Sequence, residues 1–306
     1  MYKLSKYIII SDSIGKKNQY IIYSTRSTTF VIISKETVDL LLAENFSNVE
    51  QSTFRELENC QIIIKKEENE LKIILDKYKN AINDNDTLYF VIQPTAQCQL
   101  GCHYCGQKHS KNYLTQSDYP LILNRIEEKL EMNSKYKNIQ IGWFGAEPLL
   151  GLKSMEILTN QIKELASKYQ CSYTSKITTN GLSLKPDVYN RLIDLAIKKI
   201  EITLDGTAAT HDQRRYTKKG NATFDIIFDN ILSCIHSPRF NPLSTQLVIR
   251  CNVDKNNHQD VYNLIDLLDQ HQLQDKIDEF YLAPIHSWGN DAHLQALEKK
   301  NLQNLK

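Results

Sequence analysis

From about Leu88 onward the chain alternates short runs of β-branched and aromatic residues with longer segments whose apolar residues recur at helical spacing. No other feature limits the fold as tightly. Parallel strands need a crossover between them, and right-handed crossovers carry the helices to one side of the sheet. The runs Leu88–Gln93, Ile139–Phe144, Ser172–Thr178, Lys199–Leu204, Thr245–Val253 and Glu279–Ala283 read as six strands. Ser117–Met132, Leu150–Tyr169, the stretch from Pro186 to Ile197, Phe224–Ile235 and His258–His271 read as the helices between them, with Ala292–Leu302 as a sixth. The pairs Asn180–Gly181 and Asp205–Gly206 break the chain after the third and fourth strands. Eight such units close a full barrel, so six predict an α/β fold with an open, partial (β/α)6 barrel of the TIM-like kind.

Residues 1–85 lack this rhythm. Tyr7–Ser11 and Gln19–Ser24 read as paired strands around Gly15, extended by Phe30–Ile33. Ser34–Glu44 and Gln51–Cys60 read as short helices, and Gln61–Leu75 as a charged, β-rich hairpin. The expectation is a small α+β domain over 1–85, joined through the polar stretch Lys79–Thr87 to a barrel domain over 86–306.

The 306 residues are 41% hydrophobic and 24% charged, with a formal net charge of +1. These are values of an ordinary globular protein, and the near-zero charge gives no bias toward nucleic acid or anionic lipid. Apolar runs such as Tyr7–Ile10 are too short to span a bilayer, and the N-terminus carries Lys3 and Lys6 without an apolar signal core. The reading is therefore a cytoplasmic protein with neither nucleic-acid nor membrane partners.

Three of the seven cysteines crowd into the segment Cys98-Gln-Leu-Gly-Cys102-His-Tyr-Cys105, directly after the first barrel strand. Loops at the carboxyl ends of barrel strands carry catalytic groups. Three thiolates on one tight loop can hold three corners of a four-iron cluster and leave the fourth iron open to a ligand. A zinc knuckle that adds His103 and His109, or a redox dithiol of Cys102 and Cys105 that leaves Cys98 unused, are alternatives open at this point. Cys60, Cys171, Cys234 and Cys251 stand alone and read as buried, small apolar residues.

The C-x-x-x-C-x-aromatic-C pattern of Cys98, Cys102, Tyr104 and Cys105 resembles the signature of the radical S-adenosylmethionine (SAM) superfamily. The resemblance implies that Cys98, Cys102 and Cys105 hold a [4Fe-4S] cluster and that SAM is bound and reductively cleaved there. Later strand ends add to it. Gly145-Ala146-Glu147-Pro148 resembles the family's Gly-Gly-Glu-Pro turn, which holds the SAM amino group; Ala146 in place of the second glycine predicts ordinary backbone angles there. Thr179-Asn180-Gly181 matches a Thr-Asn-Gly turn, and Thr203-Leu204-Asp205-Gly206 resembles a Ser-Leu-Asp-Gly turn whose hydroxyl reaches the SAM ribose. His211-Asp212-Gln-Arg-Arg215 is similar to a His-Asp-x-x-Arg segment whose arginine pairs with the SAM carboxylate, which puts Arg215 ahead of Arg214. Arg250 and Asn252 fall in an Arg-Cys-Asn-Val run that lies near the adenine in the family. The implied cofactor contacts are Tyr104, Gly145, Ala146, Glu147, Asn180, Thr203, Asp205 and Arg215; the resemblance names no catalytic residue.

Over about residues 88–285 the resemblance is closest to SPASM-type maturases, which modify ribosomally made peptides or protein side chains. It implies a precursor peptide as substrate, crosslinked or oxidised, with its leader taken up by the N-terminal domain, and a cellular electron donor. A sulfatase-maturase-like or small-molecule radical enzyme, or a truncated, non-catalytic cluster-binding remnant, are the alternatives. No cysteine follows Cys251, so the cysteine-rich C-terminal extension of SPASM enzymes is missing. The expectation is a single-cluster branch or a truncated gene product. In Ala283–Asn290, which includes Trp288, His286 is a candidate for proton transfer at the substrate end.

Overall fold

The computed structural model describes residues 1–12, 17–83, 85–287 and 289–297. The chain divides into two compact units, residues 1–85 and 86–306.

In the first unit, β1 (Tyr2–Leu4) pairs antiparallel with β5 (Ile63–Lys65). Strands β2 (Ile8–Asp12), β3 (Gln19–Ser24) and β4 (Thr29–Ser34) form an antiparallel sheet in that order. Gly15, the expected turn residue, lies outside the described residues. Helices α1 (Lys35–Leu42) and α2 (Gln51–Asn59) help to enclose a core of Ile22, Val31, Val38, Leu41, Leu57 and Ile63. The hairpin expected over Gln61–Leu75 is not formed. Only Ile63–Lys65 is a strand, and helix α3 runs from Glu70 to Asn83, through the first part of the expected linker. Two local interactions decide this. The Asn69 side chain accepts the Lys72 amide at 3.1 Å, an N-terminal cap. Glu70 is buried, where it accepts from Ser5 Oγ at 2.5 Å and pairs with Arg26 at 3.2 Å. Leu71, Leu75, Tyr78 and Ile82 follow helical spacing.

In the second unit, six parallel strands lie in sequence order: β6 (Thr87–Ile92), β7 (Asn138–Trp143), β8 (Ser172–Thr179), β9 (Ile197–Thr203), β10 (Gln246–Val253) and β11 (Glu279–Pro284). This is the six-unit partial barrel that the alternation predicts. Helices α4 (Tyr119–Met132), α5 (Leu152–Lys168), α6 (Pro186–Asp194), α7 (Ala208–Arg214), α8 (Phe224–Ile235) and α9 (Asp260–Gln270) connect them. Helix α6 ends at Asp194 and Ile197 already opens β9, three residues before the helix was expected to stop. Helix α7 was not foreseen. Of the expected helix Ala292–Leu302, residues 292–295 form one 3-10 turn, and 298–302 lie outside the described residues.

The sheet has two unlike faces because side chains alternate along each strand. One face presents Leu88, Ile92, Ile139, Ile141, Trp143, Ile177, Ile200, Ile202, Leu247, Ile249 and Cys251, all in the main core. Register places Val91, Gly142 and Lys176 side by side on the other face, and beyond them Thr203, Arg250 and Tyr281. Hydrophobic burial therefore sits outside the sheet, between it and the helices, and the inner face is left for polar chemistry. Cys234 and Cys251 are buried as expected of small apolar residues, whereas Cys60 and Cys171 are half-exposed.

Gly181 closes β8 with φ +79°, and a Cβ there would lie 2.8 Å from Ile202 Cγ2 and 2.9 Å from Ile227 Cγ2. Both contacts are branched core side chains on different elements, with little room to yield. Gly181→Ala is expected to cost about 1–3 kcal/mol. A lower urea midpoint at unchanged m value would show it.

Candidate active site

The cysteine loop follows β6 and is held in place from several directions. Gly101 N donates to Tyr216 O at 2.8 Å, Lys218 N to Gln99 O at 2.9 Å, and His103 N to Arg214 O at 3.1 Å. Leu100 and Thr217 form an antiparallel bridge. The loop is thus zipped along its length to the segment after α7. At its tip, Tyr104 Oη donates to Asp205 Oδ2 at 2.5 Å and accepts from Arg215 Nη1 at 2.6 Å and Asn252 Nδ2 at 3.0 Å. All three hydrogen-bonding positions of the hydroxyl are used. Burial, opposed by the Arg215 charge, holds the Tyr104 pKa well above the ordinary range, so the phenol keeps its proton.

Cys98, Cys102 and Cys105 line one cavity of about 440 Å³ at the carboxyl ends of the strands. Tyr104, Gly145, Ala146, Asn180, Thr203 and Arg215 line it too, as do Arg250, Asn252 and His286. Residues far apart in sequence are brought to one site. Two expected cofactor contacts are not. Glu147 and Asp205 are fully enclosed, and neither lines the cavity. Glu147 accepts from Thr179 Oγ1 and Asn180 N, both at 2.7 Å, and from Leu149 N at 2.9 Å. Burial raises its pKa, although these three donors and Arg215 oppose the rise. Asp205 takes the Tyr104 hydroxyl and the Asn252 amide, the latter at 2.9 Å. Both carboxylates shape the walls, because both lie past a strand end, where alternation no longer says which way a side chain turns. Trp288 lies outside the described residues, while Asn290 donates to Tyr104 O at 3.0 Å.

Ala146 overturns a second expectation. Its φ is +46°, next to Gly145 at +97°, so the turn keeps a left-handed geometry despite losing a glycine. Ala146 N donates to Gln107 Oε1 at 3.2 Å, and Glu147 N to Gln97 O at 3.0 Å, which holds this backbone against the cysteine loop.

The two arginines divide the work. Arg214 Nη1 pairs with Asp254 at 2.6 Å, its guanidinium lies 5.3 Å from the Tyr104 ring centroid, and it stays out of the cavity. Arg215 faces the cavity, and its buried Nε has no hydrogen-bond partner. Burial opposes its charge, but the Tyr104 hydroxyl, the Cys102 thiol and Asp205 more than offset that and hold its pKa well above normal. Burial and both arginines push the His211 pKa well below its usual value, so the ring is neutral. Its Nδ1 accepts the Asp205 amide at 3.2 Å, which leaves Nε2–H to donate to Thr223 Oγ1 at 3.2 Å.

Sequence reasoning missed Asp254 and Asn257. Asn257 Nδ2 donates at 2.8 Å to both Asp205 O and Asn252 O and so locks the ends of β9 and β10 together. The run Asp254-Lys-Asn-Asn257 just past a strand was the available signal, since such residues bond local backbone.

The donor chemistry suits an iron–sulfur cluster. Three thiols and the Arg215 side chain line the same cavity, and the enclosed carboxylates are already engaged. Burial raises the Cys98 thiol pKa and pushes that of Cys102 up to about 11, so metal binding must displace those protons. Among the described residues, no three His, Cys, Asp or Glu side chains converge on a single-ion site.

Ala146→Gly is expected to stabilise the protein by about 1 kcal/mol, because glycine holds this φ without strain. Thermal or chemical unfolding would measure the gain. For Asp254, burial raises the pKa, but His103 and Arg214 overcome it and bring the value down to about 2. The stability this group contributes is complete above its ordinary pKa and is lost as pH falls toward about 2. Asp254→Asn strands a buried Arg214 and is expected to cost about 3–5 kcal/mol near neutrality. The difference from the parent should shrink in acid, as equilibrium unfolding across pH would show.

The chain is 29% identical to an uncharacterised protein of Synechocystis sp. over 147 residues, which cover 46% of this chain and 36% of that protein. The solved structure of anSMEcpe with bound AdoMet and a Cp18Cys peptide is similar at a TM-score of 0.56 and 18% identity, over 70% of this chain and 56% of that one. Streptococcus suis SuiB bound to the precursor peptide SuiA is similar at a TM-score of 0.50 and 15% identity, over 100% of this chain and 68% of that one. The chain thus spans little more than half of the length of anSMEcpe and about a third of the Synechocystis protein. At these identities the solved structures speak to the fold. Residues 92–268, more than half of the chain, match the radical SAM superfamily. The chain belongs to that superfamily, whose cofactors are a [4Fe-4S] cluster and SAM.

Proposed function

We propose that this chain is a radical SAM enzyme that modifies a ribosomally made peptide by crosslinking or oxidation. The observation that carries the reading is the cavity in which three loop thiols face the polar ends of the barrel strands. In this reading Cys98, Cys102 and Cys105 hold the cluster. Held there, the cluster would supply the electron for reductive cleavage of SAM and so the radical chemistry at the substrate. The protein's own groups do the rest. Gly145 and Ala146 would hold the amino end of SAM and Arg215 its carboxylate, and all three line the cavity. Thr203 would meet the ribose, with Arg250 and Asn252 toward the adenine, and Asn180 lines the same space. Glu147 and Asp205 act as positioning residues. Glu147 fixes the Thr179-Asn180 turn, and Asp205 fixes Tyr104.

The peptide substrate is supported by the likeness in fold to two peptide-bound structures. The unit over 1–85 is suited to hold a leader segment, since β2 and β4 are the outer strands of its sheet and β4 exposes Phe30 and Ile32. An extended peptide can add to such an edge. An oxygen-sensitive cluster fits a reducing cytoplasm and a cellular electron donor; among the described residues no helix is long and apolar enough to cross a membrane.

Anaerobic reconstitution with iron and sulfide, followed by dithionite and SAM, is expected to yield 5′-deoxyadenosine, and Cys102→Ala is expected to abolish it. No product from a fully loaded cluster would overturn the enzyme reading. Co-expression with a candidate precursor peptide is expected to lower the peptide's mass by lost hydrogen. An unchanged mass would count against the peptide chemistry alone.

A further inference from the structure

Cys98 borders two spaces. Besides the cavity at the strand ends it lines a separate depression of about 480 Å³, walled by parts of the segments 97–99, 109–111 and 217–221. The bonds that zip Gly101 to Tyr216 and Lys218 to Gln99 fix Lys218 and Lys219 beside the cysteine loop. Lys111 lines the same depression. All three lysines are exposed, and no aspartate or glutamate lines the depression. In a chain of net charge +1 this is a local concentration of positive charge next to a redox-active position.

Reductive cleavage consumes one electron for each SAM, and that electron comes from a separate molecule. We propose that the Lys111–Lys218–Lys219 depression is the docking surface for an acidic protein that carries single electrons on a flavin or iron–sulfur group. In the transfer the carrier loses one electron, the cluster behind Cys98 gains it, and no bond is made or broken. The inference rests on the reading of Cys98 as a cluster ligand. SAM and substrate must meet in the strand-end cavity, whereas an electron donor needs only to approach a ligand of the cluster. A donor seated on the other side of Cys98 leaves that cavity free. Complementary charge raises the encounter rate and fixes orientation without a tight complex, which suits a partner that must leave after one transfer.

The test compares the parent with a Lys111→Glu, Lys218→Glu, Lys219→Glu triple variant, both full-length, reconstituted and matched in iron and sulfide content. 5′-Deoxyadenosine formation is driven either by dithionite or by a reduced acidic ferredoxin below saturation. The ferredoxin-driven rate is expected to fall on the order of tenfold or more at low salt. The deficit is expected to narrow as salt rises and screens the surface charges. The dithionite-driven rate is expected to match the parent. Binding of the ferredoxin to each protein at low salt, read by titration calorimetry without SAM, is expected to weaken at least tenfold in the triple variant, and unchanged binding would overturn the proposal. An unchanged ferredoxin-driven rate would overturn the proposal. So would an equal loss with dithionite, which would mean that the lysines support the loop itself. A raised KM for peptide under dithionite would assign the depression to the substrate instead. If the parent makes no product even with dithionite, the enzyme reading fails first, and the two failures are told apart.

Discussion

The Tyr104 hydroxyl is where the cysteine loop, β9, β10 and the segment after α7 meet. It donates a hydrogen bond to Asp205 and accepts hydrogen bonds from Arg215 and Asn252. Each partner belongs to a different element, so one oxygen sets the distance between the thiols and the strand ends. A partly satisfied polar group in such an enclosure costs more than an apolar one would, and the full set of partners is what makes the arrangement stable. Asn257 ties the β9 and β10 ends together beneath it, and Glu147 does the corresponding work for the turns after β7 and β8.

The same enclosure concentrates charge. Arg214, Arg215, Asp205 and Asp254 are all buried beside His211. Arg214 is neutralised by Asp254, with a longer 3.8 Å contact to Asp205, while Arg215 is held through Tyr104 and lines the cavity; the Nε of each lacks a hydrogen-bond partner. The adjacent arginines differ in place: one closes a buried ion pair that fixes the wall, and the other borders the cavity. His211 stays neutral, since burial and the charges of both arginines oppose a positive charge there.

How much of this the sequence disclosed depends on the link in question. The six strands were legible because an apolar face against helices imposes alternation, as in β7 with Ile139, Ile141 and Trp143. The three cysteines stood out by their spacing and Arg215 by the resemblance to a His-Asp-x-x-Arg segment, and all four line one cavity. The hairpin expected at Gln61–Leu75 does not form because Asn69 caps a helix and Glu70 anchors it through the distant Ser5, a contact that no local pattern discloses. Ala146 was misread because an alanine was taken as a sign of an ordinary backbone. The turn is instead dictated by its neighbours, and the alanine tolerates the strain. Glu147 and Asp205 were found as letters of motifs, but the direction of a side chain past a strand end depends on long-range donors such as the Asn180 amide or the Tyr104 hydroxyl.

The strand order places β6 and β11 at the two ends of the sheet, so the barrel is a trough with a long open side rather than a tube. Access to a tube is through its mouth, and a polymer reaches the middle only by threading an end. A sheet with two edges imposes no such threading by itself: among the described residues β6 and β11 each pair with one strand only, and the sheet of this unit does not close round the site.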